Sequence, residues 1–89
     1  MIRMEFIFYG NVQGVGFRYT SKYLASLFNV TGWVKNQWDG SVLMQAQGKS
    51  ENIEMLLTKL ENSRFIFIDK IDKKVLPLEK GDTCFEIRD

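Results

Sequence analysis

The sequence contains no histidine, a single cysteine and a single proline. Without histidine there is no imidazole acid–base pair, no serine or cysteine triad of the usual kind, and none of the commonest zinc sites. One cysteine, Cys84, excludes an intrachain disulfide and any Cys-x-x-Cys metal or redox site. Neither sign of charge dominates, with 12 Lys and Arg against 11 Asp and Glu for a net +1, so there is no broad electrostatic footprint for nucleic acid. Any charge-based function must be local. The opening "MIRMEFIFYG" is too short and too charged for a signal segment or a membrane span. No membrane partner and a cytoplasmic location are therefore expected, and no repeat, linker or low-complexity tract divides the chain.

What is present is 89 residues, 45% hydrophobic and 13% aromatic. A chain of this length buries only roughly 60% of its unfolded surface, so one two-layer domain spanning 1–89 is expected, and its size favours a monomer. In residues 2–9 the even positions Ile2, Met4, Phe6 and Phe8 are apolar, a strand with one buried face. From Phe17 to about Phe28 the period lengthens: Phe17, Leu24, Leu27 and Phe28 fit a helical stripe that Asn29 can end. Asp39-Gly40 lies between two alternating runs and predicts a hairpin, with Trp33 in the core and Trp38 half-exposed. Ile53, Leu56, Leu57 and Leu60 define a second helix that Ser50 can cap. Two last strands follow, from about Phe67 to Leu76 and from Thr83 to Arg88, joined through Pro77 and Gly81. The charged run Asp69 to Lys74 is expected on a solvated edge, where it limits self-association of the adjacent "FIFI".

The resulting order, βαββαββ, is that of an α+β, ferredoxin-like two-layer sandwich: an antiparallel sheet with two helices on one face. In that plan the first and second strands run parallel with one strand between them. The loop after Tyr9 then lies beside Lys35 and Asn36.

That loop, "GNVQGVG", feeds a helix whose first turn carries Arg18. Free N–H groups and the positive end of the dipole attract anions at such a place. A cation there is opposed by roughly 0.3 to 1 kcal/mol unless an anion sits between. An exposed arginine in a first turn is common by itself, but three glycines in seven residues carry a conformational cost that a plain strand–helix turn does not need. Arg18 thus reads as half of an anion site, its guanidinium fork matched to phosphate oxygens. The spacing is neither a Walker A loop nor a dinucleotide fingerprint. Asn36 alone would read as a polar strand end bonding locally.

"YGNVQGVGFR" and "GWVKNQWDGSV" together resemble the acylphosphatase family, whose signatures are a G-x-V-Q-G-V-x-F-R loop and a G-W-V-[RK]-N-x-x-D-G-x-V hairpin. Both are nearly complete, and the matching element order extends the resemblance over essentially the whole chain. The resemblance implies hydrolysis of the carboxyl–phosphate bond of a small acyl phosphate, with no cofactor and no metal. It makes Arg18 the catalytic phosphate-binding arginine and Asn36 the residue that positions the attacking water. It also implies that the backbone N–H groups of Gln13, Gly14, Val15, Gly16, Phe17 and Arg18 cradle the phosphate. Asn11 stands where relatives often carry a basic residue.

The chemistry is compatible with the missing histidine. A carboxylate leaves readily at neutral pH without a general acid, and phosphoryl transfer is catalysed mainly by positioning and charge stabilisation. An RNA-recognition module shares the element order, but "SVLMQAQG" lacks the basic and aromatic run its third strand would need. A metal-carrying ferredoxin-like domain would need a cysteine pair, whereas Cys84 reads as a packed or edge thiol. The remaining alternative is an acylphosphatase-like domain kept for phosphate or acyl phosphate binding, or as an accessory to a larger enzyme.

Overall fold

The computed structural model describes residues 1–89. Strand β1 (Ile2–Asn11) leads into helix α1 (Phe17–Leu27), followed by strands β2 (Thr31–Asn36) and β3 (Val42–Gly48). Helix α2 (Ser50–Glu61) and strands β4 (Phe67–Leu76) and β5 (Phe85–Arg88) complete the βαββαββ order. The sheet order is β4-β1-β3-β2-β5. β3 pairs antiparallel with both β1 and β2, so these two run parallel with one strand between them, as the sequence implies.

The sheet is mixed, which corrects the fully antiparallel expectation: β5 pairs parallel to β2 through Gly32↔Phe85 to Lys35↔Arg88. The reason is topological. β4 is antiparallel to β1 at one edge, so it is antiparallel to β2 as well. A single chain reversal across the sheet then delivers β5 parallel to β2 at the far edge.

The two-residue period of β1 turns Phe6 and Phe8 onto the face that the helices cover, each 1% exposed or less. Their burial stabilises the fold by about 2 to 3 kcal/mol apiece. α1 contributes Phe17, Leu24 and Ala25, and α2 contributes Ile53, Leu56, Leu57 and Leu60, to one apolar cluster with Val34, Val42, Met44 and Phe85. Leu27 departs from the expected stripe and is exposed. Ser21 occupies the inner face instead, and its hydroxyl satisfies itself by donating to the Phe17 carbonyl at 2.8 Å. Asn29 ends α1 in the left-handed region, φ 54°, where an asparagine is tolerated. Ser50 does not cap α2. It is the first helical residue, Lys49 precedes it as N-cap, and no side chain bonds the free N–H groups.

The other face of the sheet is open except for the connection between β4 and β5. Arg3 points there and is nonetheless 2% exposed. Its guanidinium donates to Gln45 Oε1, Gln47 Oε1 and Asp82 Oδ2, the last at 2.8 Å. Gln47 in turn exchanges hydrogen bonds with the backbone of Glu79. These contacts strap residues 77–84 across the sheet. Trp33 also lies on this face, half-buried, with the Arg88 guanidinium 4.6 Å from its ring centroid. It is not a core residue, because Val34 takes the inward position next to it. Trp38, at the hairpin tip, is fully exposed rather than half-exposed. β4 is the long solvated edge that the run Asp69 to Lys74 implied.

Candidate active site

The first turn of α1 is fixed from the core side. Phe17 is buried, with its ring centroid 4.8 Å from that of Phe8. Gly16 is the N-cap at φ 80°, a left-handed conformation that costs an L side chain about 1 kcal/mol or more. No side chain caps this helix and no acidic residue stands in its first turn. The N–H groups of the first turn therefore keep their hydrogen-bonding capacity for a ligand, at the positive end of the dipole. Thr20 N–H to Gly16 O, at 2.9 Å, is where helical bonding begins.

Over this turn lies a cleft of about 180 Å³ lined by Val12, Gly14, Gly16, Phe17, Arg18, Tyr19 and Asn36. Arg18 and Asn36 are 18 residues apart in sequence, and the parallel arrangement of β1 and β2 brings them to one cavity. Asn36 ends β2, opposite Val42 of β3. The Arg18 side chain is 28% exposed, and its one ionic neighbour is the fully exposed Asp89 carboxylate at 3.7 Å. Such a pair is worth little in water, so the guanidinium is left available.

The other sequence-selected residues fall in different places. Gln13 and Val15 do not line the cleft: Val15 packs half-buried against the core, and Gln13 turns its side chain to the β2–β3 hairpin. Lys35 is also absent from the lining, because it alternates with the inward Val34. Gly10 belongs to β1 and not to the cradle. It sits at a β-bulge where the register to β4 shifts, at φ 131°, and a Cβ there would overlap the Phe67 carbonyl. Of the three loop glycines, two serve the cleft and one serves the sheet. Sequence reasoning missed Val12 and Tyr19 as lining residues, although both flank the signature positions.

Below Asn36 the hairpin neck is tightly bonded. Gln37 N–H donates to Ser41 O at 2.8 Å, and Gln37 Nε2 donates to Ser41 Oγ at 2.9 Å. The Ser41 hydroxyl and then its N–H both bond the Asp39 carboxylate and hold its pKa below the ordinary value. A larger cleft of about 390 Å³ lies between α1 and the start of β5, lined by Lys22, Asn29 and Cys84 among others. It holds one lysine and no signature residue, so size and chemistry point to different places, and the chemistry favours the smaller cleft.

Fold and cleft together define a ferredoxin-like domain with an uncapped helix start opening on a cleft that holds Arg18 and Asn36. A family model described as Acylphosphatase matches residues 4–87. An acylphosphatase of Clostridium perfringens is 48% identical over 84 residues, covering 90% of this chain and 94% of that one. One of Oceanobacillus iheyensis is 38% identical over 81 residues, 89% of each chain. The crystal structure of the Bacillus subtilis acylphosphatase superposes with a TM-score of 0.90 at 32% identity, covering 99% of both chains. The chain belongs to the acylphosphatase family and is a hydrolase of acyl phosphates. It also superposes on T. kodakarensis HypF, with a TM-score of 0.86 at 31% identity, covering all of this chain and 12% of that one.

Proposed function

We propose that the protein hydrolyses a small acyl phosphate to a carboxylate and inorganic phosphate without a metal or cofactor. In this reading Arg18 and the loop amides from Gln13 to Arg18 hold the phosphate, and Asn36 holds the water. The carrying observation is that Arg18, the uncapped first turn of α1 and Asn36 all face one cleft. Guanidinium and amides neutralise charge on the phosphoryl oxygens, and donors held by the fold need no reorganisation at the moment of reaction. Water bound to the Asn36 carboxamide attacks phosphorus in line. The phosphorus–oxygen bond to the acyl group breaks and its electron pair leaves on the carboxylate.

Asn36 is neutral, so it orients water by hydrogen bonds and cannot take its proton. A phosphate oxygen of the substrate accepts that proton. Activity corrected for substrate ionisation should then show no enzyme ionisation between about pH 5 and 8, and a side-chain pKa in that window would contradict the assignment. The same reading has the protein work as a single-domain monomer in the cytoplasm, on a small molecule and not on nucleic acid or a membrane. No helix is long and apolar enough to cross a membrane.

A second reading, a binding or accessory domain, is favoured by one observation: the whole chain matches a small part of the much longer HypF. Steady-state hydrolysis of benzoyl or acetyl phosphate in EDTA, with inorganic phosphate as competing product, separates the two. Turnover that survives EDTA and that phosphate inhibits supports the hydrolytic mechanism. Phosphate binding without turnover supports the accessory reading.

A further inference from the structure

We infer that Gln13 is a positioning residue: its carboxamide locks the phosphate loop to the hairpin that carries Asn36, and so sets the direction from which water reaches phosphorus. This rests on the hydrolytic reading above and adds a component to it. Gln13 Nε2 donates to Gln37 O at 2.7 Å and to Ser41 O at 2.8 Å. Both partners are carbonyl oxygens, which can only accept, so the orientation of the amide is fixed by the chemistry.

The two carbonyls form the neck of the hairpin. Gln37 O also accepts from Gly40 N–H at 3.2 Å, and Ser41 O from Gln37 N–H at 2.8 Å. Gln37 directly follows Asn36, and Ser41 directly precedes Val42, the residue paired with Asn36. The Gln13 amide thus grips both arms of the hairpin one residue beyond the Asn36–Val42 pair. No backbone hydrogen bond joins residues 12–16 to residues 37–41, and no other side chain does so. Gln13 is the one polar tie between the part of the site that holds phosphate and the part that holds water.

In-line attack requires the reacting atoms at near-contact distance, and a displacement of about 1 Å can cost on the order of 100-fold in rate. Removing the tie leaves cradle and hairpin each intact and frees their relative position. The expected signature is a loss of kcat without an equal loss of phosphate affinity. A merely structural glutamine would alter stability and leave the kinetics of the folded enzyme alone.

The test uses the full chain with Gln13→Ala and Gln13→Met, the second keeping side-chain length while removing both donors, and with thermal unfolding to establish that each folds. With benzoyl phosphate, kcat should fall on the order of 10- to 100-fold, while the inhibition constant of inorganic phosphate stays within about threefold. In an Asn36→Ala background, Gln13→Met should lower kcat by less than about twofold, because the step it serves is already lost. The inference is overturned by wild-type kcat in folded Gln13→Met. Phosphate affinity falling in step with kcat, or an undiminished loss in the Asn36→Ala background, overturns it as well. A wild type that does not turn over acyl phosphates sinks the hydrolytic reading itself, whereas an active wild type with an equally active Gln13→Met removes only the tie.

Discussion

Two arginines on opposite sides of the sheet have opposite fates. Arg3 is 2% exposed and surrounded by acceptors from Gln45, Gln47 and Asp82, so its charge is spent on holding residues 77–84. Arg18 is 28% exposed over an uncapped helix start, with only a fully exposed carboxylate 3.7 Å away. A guanidinium with four hydrogen bonds to the protein is architecture. One whose donors find only an exposed carboxylate, in a place where the helix dipole opposes a cation, is the one to which the proposed function gives the phosphate.

The largest expected effect separates the two at once. Arg18→Ala should lower kcat/KM by at least about 1,000-fold, roughly 4 kcal/mol of transition-state stabilisation, with unfolding little changed. Arg18→Lys should recover little of it, since a point charge does not reproduce the fork, and full recovery would show that charge alone suffices. On the other face, Asp82→Ala leaves Arg3 buried without its counter-ion. A stability loss of about 3 kcal/mol is expected by denaturant unfolding, with kcat of the folded fraction unchanged. If Asp82→Ala damaged turnover more than stability, the division between the two faces would fail.

Smaller again is Asn36→Ala, for which kcat should drop roughly 100-fold while phosphate inhibition changes little. Equal losses would make Asn36 a substrate-binding residue. The smallest effect concerns Asp39, whose pKa is lowered by Ser41. A depressed carboxylate contributes stability that is complete above its unfolded value, about 3.9, and is lost as the pH falls through the folded value. Asp39→Asn should therefore melt slightly below wild type at pH 7, with the difference closing in strong acid. A gap that widened on acidification would reverse the sign.

The same two arginines mark how far the sequence could be read. The element order was legible because the period changes from two to 3.6 and back, and Arg18 with Asn36 was legible because two signatures frame them. Arg3 was not, because a charged residue alternating with Ile2 and Met4 reads as solvent-facing until Asp82, 79 positions away, is placed beside it. The parallel pairing of β5 was hidden for the same reason: it depends on which edge of the sheet the final reversal reaches. Gly10 was counted with the loop glycines before the helix, whereas close approach of the Phe67 carbonyl is what demands it. Gln13 was selected for its backbone, and the reach of its side chain to the hairpin is a tertiary fact with no local signal.

β1 is held on one side by β3 and on the other by β4, which ends at Leu76, while every residue of the cleft lies between Val12 and Asn36. Chains are made from the N-terminus at about 5 to 20 residues per second and fold as units. The residues that line the cleft therefore leave the ribosome seconds before the strand that closes the scaffold beneath them. Both edges of the sheet beneath the cleft come from the last third of the chain to be translated, although none of the cleft is encoded there.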